Sequence, residues 1–443
     1  MFSVFLKWYN VLRIDEMFYT RKRIHVLLFY IILSSLSLSS CVKEDFTIDY
    51  NLVNDSDGAG DGESSIVNGR SSQTEFIVNL ENEYVQSYLN TIYDENDYTY
   101  TQITDYVNLG QKQRKDYGEG ILLEWQNIEN NLSTHIVYST NSDYEDSIVL
   151  DIDNSITSYY LYNLIPNSTY WVKVVNNDSN IVKESSFETI GRRRLINLSI
   201  GFNCRDIGGV KTIDDRTIKY GLYFRGGELD GRGQVLDDYD HDVLENVLKI
   251  KDVFDFRAAG SATKTPIVGA VYHSLPLYSM VGVYNCNNND LDSNILNNYK
   301  TSLEILLDCL REGRPVYAHC QGGCDRTNTM CFLIMGVLGV SENDLALDYE
   351  LSSFAQGARY AYNTTGGMIR SREPLTNTYH NNYRNAIDYI KSLNGTTLKD
   401  KFEWFWVNDL GVSIEQINEL RDYMLMVSDN TPTTGISSVY MDR

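Results

Sequence analysis

A cysteine, two glycines and an arginine stand close together in the run His319-Cys-Gln-Gly-Gly-Cys-Asp-Arg-Thr327. Cys320 is a strong nucleophile once ionised, and Arg326, six positions on, carries a planar fork of N–H donors that matches two oxygens of a phosphoryl group. Between them, Gly322 and Gly323 permit a tight turn in which successive backbone N–H groups face one point. A short apolar run, Val316 to Ala318, precedes the stretch and Cys331 to Met335 follows it, so the order reads strand, loop, helix. The positive end of that helix faces the loop, where it favours a thiolate and a phosphate alike.

Spacing alone leaves alternatives. Cysteine and arginine fall six apart by chance in many chains, and Cys320 with Cys324 would equally suit a redox pair or half of a metal site. The neighbours narrow the choice, because His319, Gly323, Asp325 and Thr327 all accompany the pair. With them the stretch resembles the cysteine-dependent phosphatases with a C-x5-R signature, above all the bacterial tyrosine and lipid phosphatase branch, whose loop commonly reads HCxxGKDRTG. Two positions differ: Cys324 stands where lysine is usual, and Asn328 where glycine is. Asn203-Cys-Arg-Asp-Ile-Gly-Gly209 resembles the NxRDLGG motif of the same branch, and Gly411-Val-Ser413 resembles the start of its last helix. The resemblance covers residues 195–428.

This resemblance implies a phosphomonoester hydrolase, first of all a protein-tyrosine phosphatase, that works through a phosphocysteine on Cys320. Arg326 and the loop residues Gln321, Gly322, Gly323, Cys324 and Thr327 would hold the phosphate. Asp325 is the favoured general acid, with Asp255 and Asp206 as alternatives. Arg205 and Asp206 are expected either to contact phosphate or to lock the loop. Thr327 is suited to hydrogen-bond the sulfur, and His319 to support the loop from behind. No metal and no cofactor is implied. The partner is a phosphorylated protein or a small phosphorylated molecule. Inositol phosphates and phosphoinositides are the alternative substrates, weakened by the loss of the loop lysine at Cys324. Cys324 also invites a reversible disulfide with an oxidised Cys320. A non-catalytic surface-binding lipoprotein is the reading from another class, and the intact Cys320 and Arg326 oppose it.

Strands and helices must alternate to hold such a loop. Gly221 to Glu228, Val253 to Arg257 and Tyr272 to Leu277 read as strands, while Asp242 to Leu248 and Leu303 to Leu310 carry helical spacing. Ser341-Glu-Asn-Asp344 and Ser413-Ile-Glu-Gln416 read as helix starts, the latter with Ile414, Ile417, Leu420 and Met424 on one stripe. The expectation is an α/β phosphatase domain with a mostly parallel sheet flanked by helices. Cys309 and Cys331 sit in apolar helical patterns and read as buried thiols.

Residues 74–190 read differently. Short alternating runs, Ile121 to Trp125, His135 to Tyr138, Ser158 to Leu161 and Tyr170 to Val175, indicate an all-β sandwich. Trp125 and Leu164-Ile-Pro-Asn-Ser-Thr-Tyr170 resemble the core tryptophan and tyrosine corner of fibronectin type III modules. Its expected role is spacing or packing.

At the start of the chain, Arg21-Lys-Arg23, an apolar run from Val26 to Leu33 and the small residues before Cys41 resemble a lipoprotein signal peptide. Residues 1–40 would then be removed, with a misassigned start before Met17 as one option, and Cys41 would be lipidated as a membrane anchor. Residues 41–73 read as a flexible tether and 429–443 as a loose tail. The expected location is the outer membrane or the cell surface. With 38 Lys and Arg against 60 Asp and Glu, a net of -22, nucleic acid is not expected as a partner.

Overall fold

The computed structural model describes residues 77–92, 103–107, 114–126, 134–153, 155–176, 180–233, 235–262, 264–287, 291–355, 369–373 and 382–427. The expected signal peptide, Cys41, the tether 41–73 and the tail 429–443 lie outside the described residues. Those described fall within one compact unit, Gln73–Arg443.

Seven strands of the first part form two sheets. One has the order β1 (Ile77–Asn79), β7 (Ile181–Ile190), β6 (Thr169–Asn176), β3 (Thr134–Ser139), β4 (Ile148–Ile152), and the other pairs β2 (Ile121–Glu124) with β5 (Ser158–Leu161). Every second residue of β6 is buried, as the period of a half-buried strand requires. Trp125, Ile136, Leu161, Tyr170 and Phe187 share the core, and the Tyr170 hydroxyl accepts the N–H of Ile165 at 2.9 Å. All four strands read from the sequence are present. The expectation of an all-β unit over 74–190 needs correction, because Glu83–Ile92 is a helix, α1. Its apolar face, Val85, Tyr88 and Leu89, packs on Leu347, Leu351 and Phe354, far along the chain.

The second part has the elements β8 (Arg205–Asp206), β9 (Arg216–Ile218), β10 (Tyr223–Gly226), α2 (Asp238–Asp242), β11 (Asp252–Asp255), β12 (Val271–Ser274), α3 (Val281–Tyr284), α4 (Ser293–Arg311), β13 (Val316–His319), α5 (Arg326–Leu338), α6 (Glu342–Leu351), α7 (Asn382–Ser392), α8 (Leu398–Trp404), α9 (Ile414–Met424) and β14 (Leu425–Val427). The main sheet runs β12-β11-β13-β10-β8, parallel throughout except for β8 at the edge. The mostly parallel sheet flanked by helices is therefore present. The helix expected over 242–248 continues α2, but as a π-helical turn from Val243 to Val247. Ser341 caps α6 by accepting the N–H of Asp344, and Ser413 with Gln416 forms a full capping box on α9. Ile417, Leu420 and Met424 are buried as expected, whereas Ile414 is 37% exposed.

Two features aim this scaffold at one place. In the parallel register Gly226 and Asp255 both pair with His319, so three strands end at the same level beside the start of the Cys320 loop. Helix α5 then runs back from the loop, buried from Thr327 to Leu338, and Trp406 donates from Nε1 to the Leu333 carbonyl at 3.1 Å. Among the described residues no helix is long and apolar enough to cross a membrane.

Candidate active site

Cys320 follows directly on β13 and is 2% exposed, with α5 beginning at Arg326. The intervening turn is fixed by its carbonyls. The Gln321 carbonyl accepts the N–H of Glu228 at 3.2 Å, that of Gly322 accepts the side-chain amide of Asn203 at 3.0 Å, and that of Gly323 accepts from Arg225. In a trans peptide the C=O and the next N–H point opposite ways. Anchoring three successive carbonyls on one side therefore turns the N–H groups of Gly322, Gly323 and Cys324 to the other. Gly323 has φ +70°, and a Cβ there would stand 2.4 Å from the Gly226 carbonyl oxygen, so glycine is required.

Behind the loop lies a buried charge network. Asp348, on α6, accepts from Arg205 Nε at 2.7 Å through one oxygen and from Arg225 through the other. Arg205 also holds the Asn203 side chain at 2.6 Å, and Arg225 reaches Asn328 Oδ1 at 2.5 Å. Burial alone would push Asp348 up, but the two guanidinium groups outweigh it and hold the carboxyl at about 2. Arg205 and Asp206 are 2% and 1% exposed, and their described partners lie inside the fold: Asp206 accepts from Arg194 and from the N–H groups of Gly208 and Gly221. Arg205 thus reaches the loop from behind through Asn203, while Asp206 fixes the turn that follows it. Gly209, with φ +79°, lies where a Cβ would collide with the Tyr220 hydroxyl at 1.9 Å, which explains the glycine pair after Asp206.

On the open side, Arg326 is half-buried, and its Nη1 donates to the Phe256 carbonyl at 3.4 Å. Thr327 is fully buried, and its hydroxyl has no hydrogen-bond partner among the described residues. The Asp325 side chain is 37% exposed and takes two hydrogen bonds from Arg370, each 2.8 Å. Asp255 is buried beneath Arg257, which donates to it at 2.7 Å while also pairing with Glu228 and Asp230. Burial opposes the charge on Asp255, yet the Arg257 hydrogen bonds bring its carboxyl below the ordinary value. Burial pushes His319 down despite Asp255 at 4.0 Å, so it is neutral at pH 7.

Arg370 and Asp348 were not legible as site residues, since each acquires its role from partners distant in the chain. Arg225 was visible only as an arginine on a short strand. Among the described residues no group of His, Cys, Asp and Glu is arranged to hold a metal ion. A cavity of about 440 Å³, lined in part by Tyr138, Ile148, Tyr170, Phe224 and Lys251, lies between the sandwich and the sheet. Gly221 and Pro315 also line it, which puts it where β10 and β13 begin, at the opposite end from Cys320.

Among solved structures, TpbA of P. aeruginosa aligns at 15% identity with a TM-score of 0.24, covering 44% of this chain and 94% of that one. TpbA in complex with pTyr aligns at 15% identity with a TM-score of 0.23, covering 39% and 89%. Neither likeness is close enough to carry the assignment. No curated protein matches. The assignment comes from the model of the tyrosine phosphatase family, which matches residues 196–426, more than half of the chain and all of the site just described: this chain belongs to the tyrosine phosphatase family.

Proposed function

We propose that the chain is a phosphomonoester hydrolase acting on phosphotyrosine in proteins through a phosphocysteine at Cys320. The outward anchoring of the Gln321, Gly322 and Gly323 carbonyls carries the reading, since it turns a row of N–H donors to the other side of the loop at the head of α5. Arg326 adds two donors for the equatorial oxygens. The Cys320 thiolate attacks phosphorus, the bond to the phenol oxygen breaks, and Asp325 supplies the proton to that oxygen. Water then attacks phosphorus and displaces the thiolate. The otherwise unpaired Thr327 hydroxyl is suited to stabilise the departing sulfur. Gln321 and Cys324 complete the phosphate-binding loop, and Arg205 keeps its shape through Asn203. A neutral thiol at Cys324 offers a multiply phosphorylated inositol less positive charge than a lysine would, which favours phosphotyrosine.

The decisive assay compares wild type with Cys320→Ser on a phosphotyrosine peptide, inositol phosphates and phosphoinositides. Loss of roughly 10³-fold or more in the variant is expected. Undiminished turnover by Cys320→Ser would overturn the mechanism, and turnover of inositol phosphates alone would overturn the substrate class.

We also propose the wider layout: signal peptide 1–40, an outer-membrane or cell-surface anchor on lipidated Cys41, tether 41–73, a fibronectin type III-like packing module within 74–190, the catalytic domain 195–428 and tail 429–443. Fatty-acid labelling lost in Cys41→Ser is the expected result, and labelling that persists counts against it.

A further inference from the structure

The steps above do not use Arg370. Its guanidinium is 2% exposed and grips Asp325 with two prongs, Nε to Oδ1 and Nη2 to Oδ2, both 2.8 Å. Nη2 also lies 2.9 Å from the Cys324 sulfur. The Arg370 backbone is itself pinned, because Ser353 Oγ accepts its N–H at 2.8 Å and donates to its carbonyl at 3.0 Å. Two residues on, Arg372 pairs with Glu350 at 2.7 Å, and Glu350 also accepts the Tyr88 hydroxyl of α1 at 2.5 Å. The segment 369–373 is thus held at both arginines.

A carboxylate gripped by two charged N–H donors is favoured in its ionised form. To serve as an acid it must first carry a proton, so the group that grips it also sets the pH above which it is spent. Other titratable or charged groups around the pair are Cys320 and Cys324 in the loop, Arg225 from β10, and Tyr349 and Glu350 on α6. Burial drives Cys324 and Tyr349 upward, leaving both neutral at pH 7, and Glu350 is paired with Arg372.

Resting on the phosphatase reading with Asp325 as proton donor, we propose that Arg370 is a positioning residue that clamps the Asp325 carboxylate and fixes the pH range over which Asp325 can protonate the leaving oxygen. In the first step the S–P bond forms, the P–O bond breaks and the Asp325 proton passes to the phenol oxygen. Asp325 is then an anion with Arg370 as its counter-ion. In the second step the water oxygen bonds to phosphorus, the P–S bond breaks, the thiolate leaves and the water proton returns to Asp325.

The test is the pH profile of kcat/KM on an alkyl phosphate, whose leaving group needs the proton, for wild type, Arg370→Lys, Arg370→Ala and Asp325→Asn. The alkaline limb should vanish in Asp325→Asn and move up by about one pH unit or more in Arg370→Ala, with Arg370→Lys between. If Arg370→Ala is too unstable to assay, the Arg370→Lys shift decides. Limbs that stay at the wild-type pH while rates fall throughout would overturn the proposal, leaving a purely structural role. A limb retained in Asp325→Asn also overturns it. Undiminished turnover by Cys320→Ser, by contrast, strikes the phosphatase reading itself.

Discussion

Asn203 donates its side-chain amide to the carbonyl of Gly322 at 3.0 Å, across 119 positions of chain. This bond joins the two motifs that define the domain. Asn203 also takes a left-handed backbone, φ +55°, which asparagine tolerates better than most residues.

Removing the amide should therefore act on the loop. Asn203→Gly keeps the backbone free and should lower kcat/KM about 10- to 100-fold, the effect of one buried hydrogen bond of roughly 1–3 kcal/mol. Asn203→Ala should add backbone strain and melt at a lower temperature than the glycine variant. Equal melting of the two would show that φ at this position is not under strain.

Asp348 balances two buried guanidinium groups, so Asp348→Asn should destabilise the chain by about 3–5 kcal/mol in urea unfolding. The effect depends on pH in a defined direction. An unfolded aspartate titrates near 3.9, whereas Asp348 in the fold is held at about 2. Its linkage contribution, about 2–3 kcal/mol, is complete above roughly pH 5 and is lost progressively as pH falls to about 1. The gap between wild type and variant should narrow over that window, and a constant gap would argue against the assignment.

Thiol chemistry should single out Cys320. Burial pushes Cys204, Cys309 and Cys331 up to about 12 and Cys286 to about 11, so all four are neutral at pH 7. Iodoacetate at that pH should abolish activity by carboxymethylating Cys320, and inorganic phosphate should protect it. Mass spectrometry of the peptides reads the outcome, and uniform labelling of the cysteines would contradict it.

Helix α1 covers part of the catalytic domain, with Val85, Tyr88 and Leu89 against Leu347, Leu351, Phe354 and Ile369. Residues 195–428 expressed alone should melt below the full chain and bind a hydrophobic dye. Leu89→Ala in the full chain should cost about 2–5 kcal/mol. A truncated domain as stable as the whole would mean this contact adds nothing.

Features that depend on neighbouring residues were legible in the sequence. Side-chain alternation marked the strands, Ser413 and Gln416 marked the start of α9, and the residues from Val316 to Met335 marked a strand, a tight glycine turn and a helix, because local spacing dictates local geometry. Partnerships across the fold were not. Arg370 meets Asp325 across 45 positions, Arg205 meets Asp348 across 143 and Tyr88 meets Glu350 across 262. Periodicity carries no record of such pairs. A buried arginine looks in sequence like any surface arginine, and only the packing that removes water from it decides which carboxylate it must find. The sequence by itself thus singled out the loop from Cys320 to Arg326 as the candidate site, because its residue types and spacing are local, while tertiary structure decided how the loop is braced and which cation holds Asp325.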